Sequence, residues 1–206
     1  GRGRRRQVDR ERSLQALMTT NLLKRLESSV EAFRLTLGSL KENLTNTLDA
    51  IADYERSGGT IEISDYTANA SEFDPDDDDL SGLGDFVVGK KVQISLADMD
   101  VQSWQHDLKG DLGLIDGLLA SMELIRPEDD AKLQHLKAHI REKIDKPIND
   151  SNRKVLIFTA FADTANYLYN NIAADIQASK GLNTARVTGA DAPKTTLKMR
   201  YDFQSI

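Results

Sequence analysis

One helical stripe constrains this chain more than any other feature. Apolar residues recur at Leu14, Met18, Leu22, Leu26, Val30, Phe33, Leu37, Leu40, Leu44, Leu48 and Ile51. The mean step is about 3.7 residues, close to the helical period. No proline interrupts the stretch, and its only glycine is Gly38. The spacing predicts a single helix over about residues 8 to 56, on the order of 70 Å long. Gly58 and Gly59 then supply a stop signal. A helix of that length needs a partner along its apolar face, because packing outweighs intrinsic propensity. Val101, Trp104, Leu108, Leu112, Ile115, Leu118, Met122 and Ile125 repeat at helical spacing, with Ser95 or Asp98 as the expected cap and Pro127 just beyond. An antiparallel helical hairpin with Trp104 packed against the first helix is the expected arrangement.

Residues 57–95 separate the two stripes and differ in composition. Glu72, Asp74, Asp76, Asp77, Asp78 and Asp79 place six acids in eight positions. Such a block is ordinarily a solvated face. It lacks the glycine and closing glutamate of a calcium-binding loop. Around it, Ile61-Glu62-Ile63 and Val92-Gln93-Ile94 alternate weakly, as short strands do.

A different rhythm follows Pro127. Leu133, Leu136, Ile140 and Ile144 share a face of a third helix over residues 128–144. A break rich in turn formers spans residues 147–152. Lys154-Val155-Leu156-Ile157-Phe158 is then an apolar run of strand length. A helix over about residues 163–178 carries Ala165, Leu168, Ile172 and Ile176 on one face, and Gly181 ends it. Residues 184–187 read as a second short strand, and Pro193 as the opening of a last helix. Strand, helix, strand, helix is the rhythm of a parallel βαβ sheet covered on both faces.

Cysteine is absent, which excludes disulfides and thiolate metal sites and agrees with a reducing compartment. No apolar run approaches the length of about 18 residues that a membrane span requires. The chain starts at Gly1 and so reads as processed or excised, and no apolar stretch follows its arginines as in a signal peptide. The cytoplasm is the expected location. The net charge of -6 disfavours a protein coated in basic charge, yet Arg2, Arg4, Arg5, Arg6, Arg10 and Arg12 cluster at the start.

Residues 84–91 nearly match a phosphate-binding loop. Lys91 stands where a magnesium-binding hydroxyl belongs, however, and an acidic block rather than a strand precedes the segment. His135 and His139 lie four apart on the third helix, without a glutamate of the metalloprotease type between them or an evident third ligand. A solvated helix face accounts for them. We therefore assign no catalytic residue and no metal ligand.

The segment from Lys154 to Ala165, KVLIFTAFADTA, resembles the opening of the second RecA-like lobe of Swi/Snf-type superfamily II helicases. In that family an apolar strand ends in Phe-Ser/Thr-x-Phe, and a helix, a short strand closing on glycine and a helix with Arg and Phe follow. Val187-Thr188-Gly189, Arg200 and Phe203 fall at those places. Residues 130–133 resemble the short helix ahead of this lobe, and residues 21–29 a stretch joining the lobes in bacterial members. The resemblance covers about residues 14–40 and 128–206 and is weak across the acidic insert.

It implies an α/β fold with a large helical part, a helical hairpin over 1–126 followed by a partial RecA-like parallel βαβ unit over 127–206. It also implies an ATP-dependent DNA helicase or translocase, an ATP hydrolase that takes ATP and Mg²⁺ in the intact protein. This chain lacks the family's phosphate loop, its acidic magnesium motif and its late arginine finger. By itself it is expected to bind neither ATP nor Mg²⁺ and to be inactive, because hydrolysis needs both lobes. The expected partners are duplex DNA and the N-terminal motor lobe of the same protein, with no membrane.

Thr159, one residue past the first strand, and Gly189, at the end of the second, would meet the nucleic-acid backbone beyond the strand ends. The plainer alternative is that Thr159 caps the next helix and Gly189 turns the chain. Arg4, Arg5 and Arg6 are the electrostatic candidates for phosphate contact. The competing class is a non-enzymatic helical scaffold or interaction module, in which the hairpin acts as a coiled coil and the βαβ piece as a cap.

Overall fold

A computed structural model describes residues 16–57, 100–189 and 192–197. These fall into two compact units, Gly1–Leu124 and Ile125–Ile206. The described residues are predominantly helical.

In the first unit, helix α1 covers 16–28 and α2 covers Val30–Arg56. The expected continuous helix is therefore interrupted at Ser29. This residue is extended, with φ -161° and ψ 153°. The Ala32 N–H donates to its hydroxyl at 3.0 Å, which makes Ser29 the N-cap of α2. On either side the ladder holds: the Ser29 N–H donates to the Arg25 carbonyl and the Phe33 N–H to the Ser29 carbonyl. Glu31 sits in the first turn, where a negative charge suits the helix dipole. Arg34 clasps it through Nε at 2.9 Å and Nη2 at 2.6 Å. That hydrogen bond raises the pKa of Arg34 above its ordinary value against the opposing effect of burial, and Glu123 adds to the rise. One capping serine thus ends a helix that apolar spacing alone runs through.

Helix α3, Val101–Glu123, starts at the N-cap Asp100, whose carboxylate accepts the Ser103 N–H at 3.1 Å. Neither Ser95 nor Asp98 is the cap. Helices α2 and α3 form the expected hairpin. Ile51 and Leu108 are buried at its centre, with Leu44, Leu48, Tyr54, Val101 and Trp104 packed around them. Lys41 pairs with Asp116 at 2.7 Å, far along both helices from Ile51 and Val101. As α2 advances its partners on α3 recede, so the pair is antiparallel. The possible short strands at 61–63 and 92–94, and the acidic block, lie outside the described residues.

In the second unit, α4 is Ala131–Asp145 and α5 is Ala162–Lys180. Asp130 caps α4 by accepting the Leu133 N–H at 3.0 Å, and its other oxygen accepts the Tyr167 hydroxyl of α5 at 2.9 Å. Residues 128–129, expected in this helix, form a turn ahead of the cap. Leu133, Ile140 and Ile144 pack against Ile172 and Ile176. Arg141 pairs with Asp175 at 2.5 Å and Lys180 with Asp145 at 2.6 Å. Contacts at 130 with 167, 141 with 175 and 145 with 180 advance together, so α4 and α5 run parallel. Gly181, at φ 65°, closes α5 in the left-handed conformation that glycine adopts without strain.

Parallel neighbours force the chain between them to travel back. Fifteen residues of α4 rise about 22 Å. Seven residues, such as 153–159, reach at most about 23 Å at 3.3 Å each, enough for that return. Arg153 donates to the Ile144 carbonyl at 3.4 Å, fixing the start of this return at the end of α4.

The expected parallel sheet is not formed. Residues 154–158 are neither helical nor paired as a strand. The only sheet among the described residues joins β1, Ala185–Arg186, to β2, Lys194–Thr195, in antiparallel register. A central parallel strand closes its backbone hydrogen bonds on neighbours, and the described residues supply none beside 154–158. Nor does Pro193 open a helix. Lys194 and Thr195 turn back instead, and the Thr196 N–H bonds the Thr184 carbonyl at 3.0 Å while the Thr184 N–H bonds Thr196 Oγ1 at 2.9 Å. Arg200 and Phe203 lie outside the described residues.

Candidate nucleic-acid interface

Thr159 closes the return, just before α5. It is exposed, and its hydroxyl accepts the Phe161 N–H at 3.4 Å. This long contact turns the chain into the helix. Phe161 stands at the N-cap of α5 and gives it no side-chain cap. Asp163 lies in the first turn and places a negative charge near the helix start, which opposes an anion there.

Gly189 sits in an exposed bend after β1. The side chain of Arg186, in β1, is buried, and its guanidinium donates to Asn166 Oδ1 near the start of α5 and to the Ala192 carbonyl at 3.0 Å. Segment 182–186 leaves the end of α5 and has returned to within an arginine's reach of its beginning. Thr159 precedes the N-terminal end of α5, and Gly189 follows Arg186 by three residues. Arg186 was not singled out in the sequence; its one signal is an arginine inside a short alternating segment.

The return is two-sided. Val155 and Ile157 are 37% and 44% exposed, whereas Leu156 and Phe158 are 84% and 89% exposed. One edge of this alternation is partly covered and the other bare, which is the sidedness of a strand with one layer in place.

Arg4, Arg5 and Arg6, and the 84–91 loop, lie outside the described residues. His135 and His139 are exposed on α4, their rings edge to face with centroids 4.7 Å apart, and Glu142 Oε2 lies 3.9 Å from His139 Nδ1. Among the described residues no three His, Asp or Glu side chains gather as metal ligands. No described helix is long and apolar enough to cross a membrane. Comparison with protein-family models, curated proteins and solved structures found no match.

Proposed function

We propose that this chain contributes the inter-lobe helices and the opening of the second motor lobe to an ATP-dependent DNA translocase of Swi/Snf type. One observation carries the reading beyond the sequence resemblance. Two parallel helices are joined by an apolar return, and a second segment runs back along α5. That order of helix, linker, helix and short strand supports the reading without forming its sheet; in the βαβ layer that the reading supposes, ligands meet the loops beyond the strand ends. In this reading Thr159 and Gly189 stand at such loops of the complete lobe, where a hydroxyl, backbone N–H groups and a residue without Cβ suit a phosphate backbone and carry no base information, against the opposing charge of Asp163. In this proposal ATP and its metal are clamped between both lobes of the intact protein, and the present residues hold and release the nucleic acid.

The helical interaction module has one observation in its favour. Gly110, Gly113 and Gly117 line the side of α3 away from α2, and open space surrounds each. Translocation by the complete motor separates the two readings. The motor reading expects DNA-stimulated ATP hydrolysis, with Thr159→Ala slowing movement more than it weakens binding. A gene product without DNA-stimulated hydrolysis would favour the module.

A further inference from the structure

We propose that the outer flank of α4 is a docking surface for a nucleic-acid phosphate backbone. Lys132, His135, His139, Lys143 and Lys146 recur at steps of three and four residues. At 3.6 residues per turn the four on the helix fall within an arc of about 80° over about 17 Å, and Lys146, the non-helical C-cap, follows at its end. All five are exposed. The row lies beside the buried edge formed by Leu133, Ile140 and Ile144. On the opposite flank of α4, Arg141 pairs with Asp175 of α5 and Asp145 with Lys180 of α5, so Asp175 faces away from the row. Glu142 borders the row at His139, and Glu128 precedes Lys132 by one turn.

Charge and shape together select the occupant. A linear polyanion can follow a straight row of three ammonium groups and two imidazoles, and phosphates along one strand recur closely enough to meet each lysine. A membrane surface fits poorly, because a helix that binds lipid inserts its apolar face, and that of α4 is already buried against α5. The inference does not depend on the motor reading or on Thr159. Its sequence signal was the helical spacing of basic residues, which a search for ligand sets passes over.

The test uses the whole chain and a short mixed-sequence DNA duplex, with binding followed by fluorescence anisotropy across a salt series. Replacing Lys132, Lys143 and Lys146 together by glutamine should lower the slope of log affinity against log salt by about 2.7, three phosphate contacts' worth. Glu142→Gln should tighten binding, since it removes the acid at the row's border. Circular dichroism reports whether the triple variant folds; if it does not, the direction of the Glu142→Gln change decides. An unchanged slope in a folded triple variant overturns the proposal, as does weaker or unchanged binding by Glu142→Gln. No binding of the parent chain at low salt overturns it too. So does loss of binding to polyglutamate or phosphatidylserine vesicles in the triple variant while duplex binding persists.

Discussion

The hairpin of the first unit and the return of the second carry similar apolar side chains and treat them in opposite ways. Ile51 is 1% exposed against α3, while Leu156 and Phe158 are almost bare. The difference is one of hydrogen-bond locality. A helix satisfies its backbone within four residues and needs only one companion to cover its stripe. A strand satisfies its backbone on chains far away in sequence, and without them it remains an extended segment with open edges.

The sharpest way to break this contrast is a pair of truncations. Ile51→Ala should cost about 2–5 kcal/mol, because it opens a cavity in the hairpin. Leu156→Ala, at an exposed site, should stay within about 0.5 kcal/mol. Denaturant titration measures both. A loss at Leu156 comparable to that at Ile51 would mean that the return is buried in solution and that the contrast fails. Trp104 lies between these extremes: it borders the hairpin core only partly buried, so the cost of Trp104→Ala should fall below that expected for a fully enclosed ring.

Locality also explains what could be read before the structure. The existence of four helical stretches, the pairing of the first two stripes, and Gly181 as a terminator all rest on contacts within a turn or on one apolar face. The break at Ser29 was hidden because the apolar steps continue across it, 26 to 30 to 33. A serine with an acid two residues later was the available clue. Sheet formation at 154–158 could not be read, since an apolar run of five residues states a preference and leaves its neighbours unspecified. The antiparallel β1–β2 pair depended on Thr184 and Thr196 meeting across a turn near Pro193, a contact that no periodicity announces. Of the candidate site, Thr159 and Gly189 were placed by resemblance. That Arg186, three residues before Gly189, reaches Asn166 near the start of α5 emerged only from the structure.

A middle-sized effect is expected at the helix break. Ser29→Ala removes the hydroxyl that accepts the Ala32 N–H and should cost about 1 kcal/mol. Ser29→Asp should keep the cap and recover most of that loss, as thermal melts of the two variants would show. If alanine instead stabilises the chain, the two helices have fused, and the local cap is weaker than the continuous apolar stripe that spans it.

The smallest effect tests locality at its limit. In the turn before α4, Arg126 Nε donates to Asp129 Oδ2 at 3.0 Å, three residues away and in water. That hydrogen bond, with the adjacent positive charge, holds the Asp129 carboxyl below its ordinary value. A carboxyl lowered in the folded state favours folding above its unfolded pKa, and this contribution is lost as pH falls through the lower, folded value. Arg126→Ala should therefore move the Asp129 midpoint upward toward the usual carboxylate range while the melting temperature near neutral pH barely changes, since exposed pairs contribute little. Carbon-detected titration of the Asp129 carboxyl reads the first, and a thermal melt the second. An unmoved midpoint would show that the pair does not persist in solution; a large drop in melting temperature would show that this turn is anchored by more than its own neighbours.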